Sequence, residues 1–110
     1  MDPSNREKPS RPSRVLDAVF ASDEEALRAA IDDGEDVDAW DDFGMTALLY
    51  AVFRGDIEAV GLLLRMGADP NRPQRDDLTA TPLWHAKDDF GLHEIAALLE
   101  KAGATNPKSA

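Results

Sequence analysis

Thr46–Asn71 reads TALLYAVFRGDIEAVGLLLRMGADPN. Two short apolar-periodic stretches flank Gly55, and a second glycine, Gly67, closes the pair. On a helical wheel Leu48, Ala51 and Val52 gather on one side of the first stretch. The second carries Ile57, Ala59, Val60, Leu62, Leu63 and Leu64, and its only charges between Ile57 and Met66 are Glu58 and Arg65. A helix this apolar needs neighbours on several sides. One continuous helix through Gly55 would leave much of that surface in water. A break at Gly55, with Asp56 starting the second helix, folds the two stretches together. Stacking on similar units would cover the rest.

The same punctuation recurs along the chain. Gly34, Gly67 and Gly103 each close a helical stretch, in GED, GADPN and GATNP, at spacings of 33 and 36. Ala18, Ala51 and Ala86 fall inside the first helix of each unit, at spacings of 33 and 35. A period in this range marks stacked helical units. Thr46 and Thr81 stand as N-caps, Pro82 takes the first helical position after Thr81, and Ser13 holds the matching place in the first unit. Ser22, with Glu25 three residues on, reads as a capping box opening that unit's second helix. The three closing glycines suit the left-handed position just past a helix end.

These signals predict an all-α solenoid over residues 13–104, in three helix-turn-helix units spanning roughly 13–40, 41–73 and 74–104. Residues 1–12 (MDPSNREKPSRP) and 105–110 read as a disordered leader and a flexible tail. With no cysteine in 110 residues, disulfides and thiolate metal sites are excluded. No apolar run approaches the roughly 18 residues that a membrane span needs. The leader lacks the apolar core of a signal peptide, so the cytoplasm is the expected location.

Charge is unevenly placed. Between Asp17 and Asp42 eleven carboxylates face one base, Arg28, which matches the formal net charge of −10 for the whole chain. Such a chain lacks the basic footprint of a nucleic-acid binder, and an anionic membrane would repel it. The acidic tract serves as a solvated face or as an attractor for a basic partner.

The middle unit, DDFGMTALLYAVFRGDIEAVGLLLRMGADPN, resembles an ankyrin repeat: Gly-x-Thr-x-Leu, then Ala, Gly-Asp-Ile-Glu, and Leu-Leu-Leu-x-x-Gly-Ala-Asp-x-Asn. The third unit has TPLWHA where the family usually has Thr-Pro-Leu-His-x-Ala, and the first resembles a divergent N-terminal cap. The resemblance implies antiparallel helix pairs joined by β-turn fingers. The chain departs from the pattern in places. Ala47 and Leu49 replace the usual proline and histidine, and Trp84 replaces that histidine in the third unit. Arg72–Ala80 is two residues longer than its counterpart Ala39–Met45, and the turn Lys87–Phe90 is one residue longer than Val52–Arg54.

His85, Asp88, Asp89 and His93 form the one cluster that could be imagined as a metal or catalytic site. The two histidines fall on different predicted helices, no His-x-x-x-His spacing exists, and no nucleophile is paired with a base. No enzyme, metal or cofactor is therefore expected.

Trp40 and Phe43 sit in the first finger, within AWDDFGM, where polar residues are the norm. Phe20 and Phe53 are 33 residues apart and should lie side by side. Family members commonly bind partners through finger tips and the outward flank of the first helices. Carried onto this sequence, that implies Trp40, Asp41, Asp42, Phe43, Met45, Phe53 and Arg54. In the third unit it implies Asp76, Asp77, Ala80, Asp88 and Asp89. The competing reading packs Trp40 and Phe43 against the neighbouring finger. Trp84 and Tyr50 read as packing residues.

The expectation is a non-catalytic module, monomeric when free, that binds a basic protein. Resemblance to small bacterial ankyrin proteins extends this to an inhibitor or immunity role, or to an enzyme's accessory subunit. A structural role without a dedicated partner is the remaining alternative.

Overall fold

The computed structural model describes residues 14–105. The leader, Ser13 with its cap, and residues 106–110 lie outside that range. The elements are α1 (Arg14–Phe20), α2 (Glu24–Asp32), α3 (Ala47–Phe53), α4 (Ile57–Arg65), α5 (Pro82–Trp84), a π-helical segment (His85–Asp89) and α6 (His93–Lys101). No strand is present among the described residues; the second finger, within Arg72–Ala80, holds one isolated bridge, Gln74 to Asp77. This is the all-α solenoid expected of the repeat pattern.

Local chemistry sets the boundaries. Thr46 Oγ1 accepts from Leu49 N at 3.1 Å, and Thr81 Oγ1 accepts from Trp84 N at 3.1 Å. Each occupies one of the amides that a helix start leaves unpaired. Gly55 breaks α3 from α4 with φ +64°, and Asp56 caps α4 by accepting from Ala59 N at 3.0 Å. In the first unit Asp23, not Ser22, is the N-cap, accepting from Ala26 N at 3.0 Å. Ser22 takes the place of Gly55 one repeat earlier and adopts φ +56°. The chain must turn through a left-handed residue here, so Ser22 cannot also open the helix. The same pair of turn bonds surrounds both positions: Ser22 N to Val19 O and Asp23 N to Ala18 O match Gly55 N to Val52 O and Asp56 N to Ala51 O.

The extra residue in the Lys87–Phe90 turn is absorbed by widening the helix. Phe90 N donates to His85 O, five residues back, at 2.9 Å. An inserted residue that bulges into a π-turn leaves the flanking helical register intact.

The units stack in order. α1 packs on α2 and on α3, α3 on α4, α5 and the π-helical segment, and α4 on α6. Equivalent residues reach equivalent depth. Val15, Leu48 and Leu83 are buried, as are Ala18, Ala51 and Ala86, whose small side chains let the first helices approach closely. Between the second helices Ala30, Leu63 and Leu99 are completely enclosed. One contiguous core runs through all three units. Ala59, Val60, Leu62 and Leu63 of α4 are thereby covered, while Ile57 at its start stays exposed.

Candidate functional site

Backbone and side-chain ties fix the fingers to one another. Trp40, expected as an exposed anchor, is half-buried. Its indole N–H donates to Pro73 O at 2.8 Å, and the Arg72 guanidinium lies over its ring at 3.8 Å. The ring is thus committed to the second finger, the packing alternative. Asp38 Oδ1 accepts from Asp69 N at 2.8 Å, and Asn71 Oδ1, one repeat later, accepts from Thr105 N at 2.8 Å. Thr105, assigned to the flexible tail from the sequence, is therefore held at that point. Arg75 donates its amide to Gly44 O at 3.0 Å and a guanidinium N–H to Asp41 O at 3.3 Å.

Asp41 organises the first finger. Its carboxylate accepts from the amides of Phe43 (2.9 Å) and Met45 (3.0 Å) and from the Tyr50 hydroxyl. Burial alone would raise its pKa, but the Tyr50 hydroxyl and these amides outweigh that and hold it below the usual carboxylate value. Tyr50 is pushed up to about 12, by burial first and then by its bond and charge interaction with Asp41. Met45 is buried at 7 % exposure, and Ala80 at 2 %, so neither offers surface to a partner. Both sit where finger meets first helix, and the packed interior claims them.

What remains open on the finger side is apolar. Phe43 is 78 % exposed, Leu78 67 %, and Phe53 and Phe90 43 % each. Phe53 does not pair with Phe20: no ring contact joins them among the described residues. Its ring edge meets Phe90 at 5.3 Å and His85 at 4.6 Å, while Arg54 covers Phe20 at 4.3 Å. Leu49, on the same helix, is completely buried. Sequence reasoning missed Phe90 and Leu78 as exposed residues. Both lie in the two segments longer than their counterparts, and that extra length was the signal.

Beneath the aromatic pair lies His85, 4 % exposed. Its Nε2 is 2.8 Å from Gln74 Oε1 and its Nδ1 is 3.0 Å from Asp89 Oδ2. Trp84 meets it edge-on at 4.9 Å. The histidine bolts the second finger to the π-helical segment. Asp89 is spent on that bond and Asp77 on capping Thr79, while Asp76 pairs with its neighbour Arg75 at 3.3 Å. Asp42 and Asp88 are exposed. His93 is exposed on α6, apart from this cluster. Among the described residues no three His, Asp or Glu side chains converge in a way that could hold a metal ion. None of their helices is long and apolar enough to cross a membrane.

A family profile described as ankyrin repeats in many copies matches residues 15–64. A solved ankyrin repeat domain from Acinetobacter baumannii AYE superposes with a TM-score of 0.65 at 36 % identity, over 83 % of this chain and 47 % of that one. This is an ankyrin-repeat protein. It is also 34 % identical over 87 residues to an ankyrin repeat protein of Rickettsia bellii (strain RML369-C). A stretch of the E3 ubiquitin-protein ligase Ufd4 of Drosophila melanogaster is 39 % identical over 92 residues. The similarity covers 74 % and 83 % of this chain, but the chain spans 24 % of the Rickettsia protein and 3 % of Ufd4. The likeness is thus one of repeats. Ankyrin repeats are generally protein–protein interaction modules and typically non-catalytic.

Proposed function

We propose that this ankyrin-repeat protein is a non-catalytic, cytoplasmic binding module that docks a protein partner on the finger side of its second and third units. The observation that carries this is the exposed pair Phe53 and Phe90, in edge-to-face contact at 5.3 Å and held from beneath by His85. Such a pair is rigid, so little conformational freedom is lost when it is covered. Leu78 and Phe43 at the finger tips extend the apolar surface, and exposed Asp42 and Asp88 give it an acidic rim. An apolar centre with a charged rim is the usual anatomy of an interface. A partner with a basic rim fits it, and covering that partner's working surface would make the protein an inhibitor.

The test starts with affinity capture and mass spectrometry to obtain a partner, then surface kinetics on purified components. Phe53→Ala and Phe90→Ala should each raise the dissociation rate by about 30-fold or more, the loss expected of a buried aromatic anchor. Unchanged kinetics in both folded variants would move the site elsewhere.

A further inference from the structure

A groove of about 470 Å³ opens in the first unit, between the first turn of α1 and the first finger. Leu16, Val37 and Trp40 supply apolar lining, and Glu35, Asp36 and Asp42 supply carboxylates. Arg14 also borders it, but its guanidinium is paired with Asp33 at 3.0 Å.

The groove lies along an edge that differs from the other edge of the same finger. Toward the second finger, the amides of Asp69 and Arg75 are taken by Asp38 and by Gly44 O. The amides 33 residues earlier belong to Asp36 and Asp42, and neither has a hydrogen-bond acceptor among the described residues. The first finger therefore presents donors in the register by which fingers recognise one another, above an apolar floor and beside a carboxylate rim.

We propose that this groove docks an extended, arginine-bearing segment of a partner protein. Carbonyl oxygens of such a segment meet the amides of Asp36 and Asp42, as Gly44 O meets Arg75 N one unit later. Its guanidinium groups meet Glu35, Asp36 and Asp42. Arginine suits this better than lysine, because guanidinium is less strongly hydrated and packs flat on apolar surface. Trp40 already takes a guanidinium in that way, with Arg72 over its ring. The inference rests on the protein-binding reading but uses a different surface, so the two fail separately.

The probe is a fluorescein-labelled peptide of four Arg-Pro repeats, which its prolines keep extended. It is titrated into the full chain and followed by anisotropy, with each variant's melting curve checked against the parent. Binding should saturate and weaken as salt rises. The triple variant Glu35→Gln, Asp36→Asn and Asp42→Asn should bind about tenfold more weakly, the combined loss of three modest ion pairs. Glu25→Gln, Glu58→Gln and Glu94→Gln make the same change in net charge outside the groove and should alter binding less than about twofold. Phe90→Ala should leave the peptide's affinity unchanged, whatever it does to partner binding on the second and third units. Equal losses in the two triple variants would reduce the effect to net charge and overturn the proposal, as would binding that never saturates. Deleting residues 1–12 should not tighten binding. Tightening of about tenfold would assign the groove to the chain's own N-terminal residues instead of a partner.

Discussion

Replacing Asp38 by asparagine should make the protein more stable. Asp38 holds the position that Asn71 holds one repeat later, and each accepts an amide from the next turn, at 2.8 Å in both cases. Asn71 does more: its Nδ2 donates to Gly103 O at 3.3 Å. An ionised Asp38 has no proton to give the corresponding Gly67 carbonyl. Its pKa is raised, by burial first, and the charges of Asp69 and Asp36 push the same way against the favourable Asp69 amide and Arg72. Asp38→Asn keeps the acceptor, removes the charge and supplies the missing donor. One added hydrogen bond contributes about 0.5–1.5 kcal/mol net. For a domain of this size that is a rise in melting temperature of about 2–10 °C. The pH dependence provides a second check. A carboxyl whose folded pKa is raised contributes most when protonated, below the unfolded value, and that contribution is lost as pH rises through the folded value. Protonated Asp38 can itself donate, so the variant's advantage should be full near neutral pH and shrink at about pH 3. Thermal melts of both proteins across that range decide the matter. A variant melting at or below the parent near neutral pH, or one whose advantage persists unchanged in acid, would refute the reasoning.

Tyr50 is the only tyrosine, so ultraviolet absorbance of the phenolate reports it alone. It should ionise near pH 12 in the folded chain against 10.0 unperturbed, and stability should fall across that window because the unfolded chain loses the proton first. Tyr50→Phe should abolish that alkaline loss; ionisation near 10.0 in the folded protein would contradict the Asp41 bond. Leu63, wholly enclosed, should cost about 2–5 kcal/mol on replacement by alanine, read by denaturant melts; a variant matching the parent would place it outside the core. Gly67→Val should destabilise the fold in the same assay, because φ is +95° there although nothing crowds a Cβ. An unaffected melt would mean that the turn relaxes freely.

The fold was legible because its signals are local and repeated. Thr46, Thr81 and Asp56 cap helices through residues three positions away, and Gly55 and Gly67 need only a backbone conformation. The candidate site was only partly legible. Trp40 in an acidic turn reads as exposed until its indole finds Pro73 O, a bond that depends on how two fingers 33 residues apart are juxtaposed. Asp41 and Asp42 look alike in sequence, yet one closes the turn through Tyr50 and the other faces solvent. Phe53 was identified from its flank, but its ring partners, Phe90 and His85, depend on a one-residue insertion becoming a π-turn. Periodicity gives the direction of a side chain and not the partner it meets.

Three residues tie the fingers forward along the array, and Arg75 ties the second back to the first. Asp38 and Trp40 reach forward to Asp69 and Pro73, and Asn71 reaches forward to Thr105 and Gly103. The first two fingers thus brace each other, while the second also leans on residues 103–105. Shortening the chain from its end would strip the second finger of its props, and that slackness would pass back toward the first. Removing the opening helix would cut none of these links. The array behaves like overlapping shingles, each course pinned by the one laid beyond it.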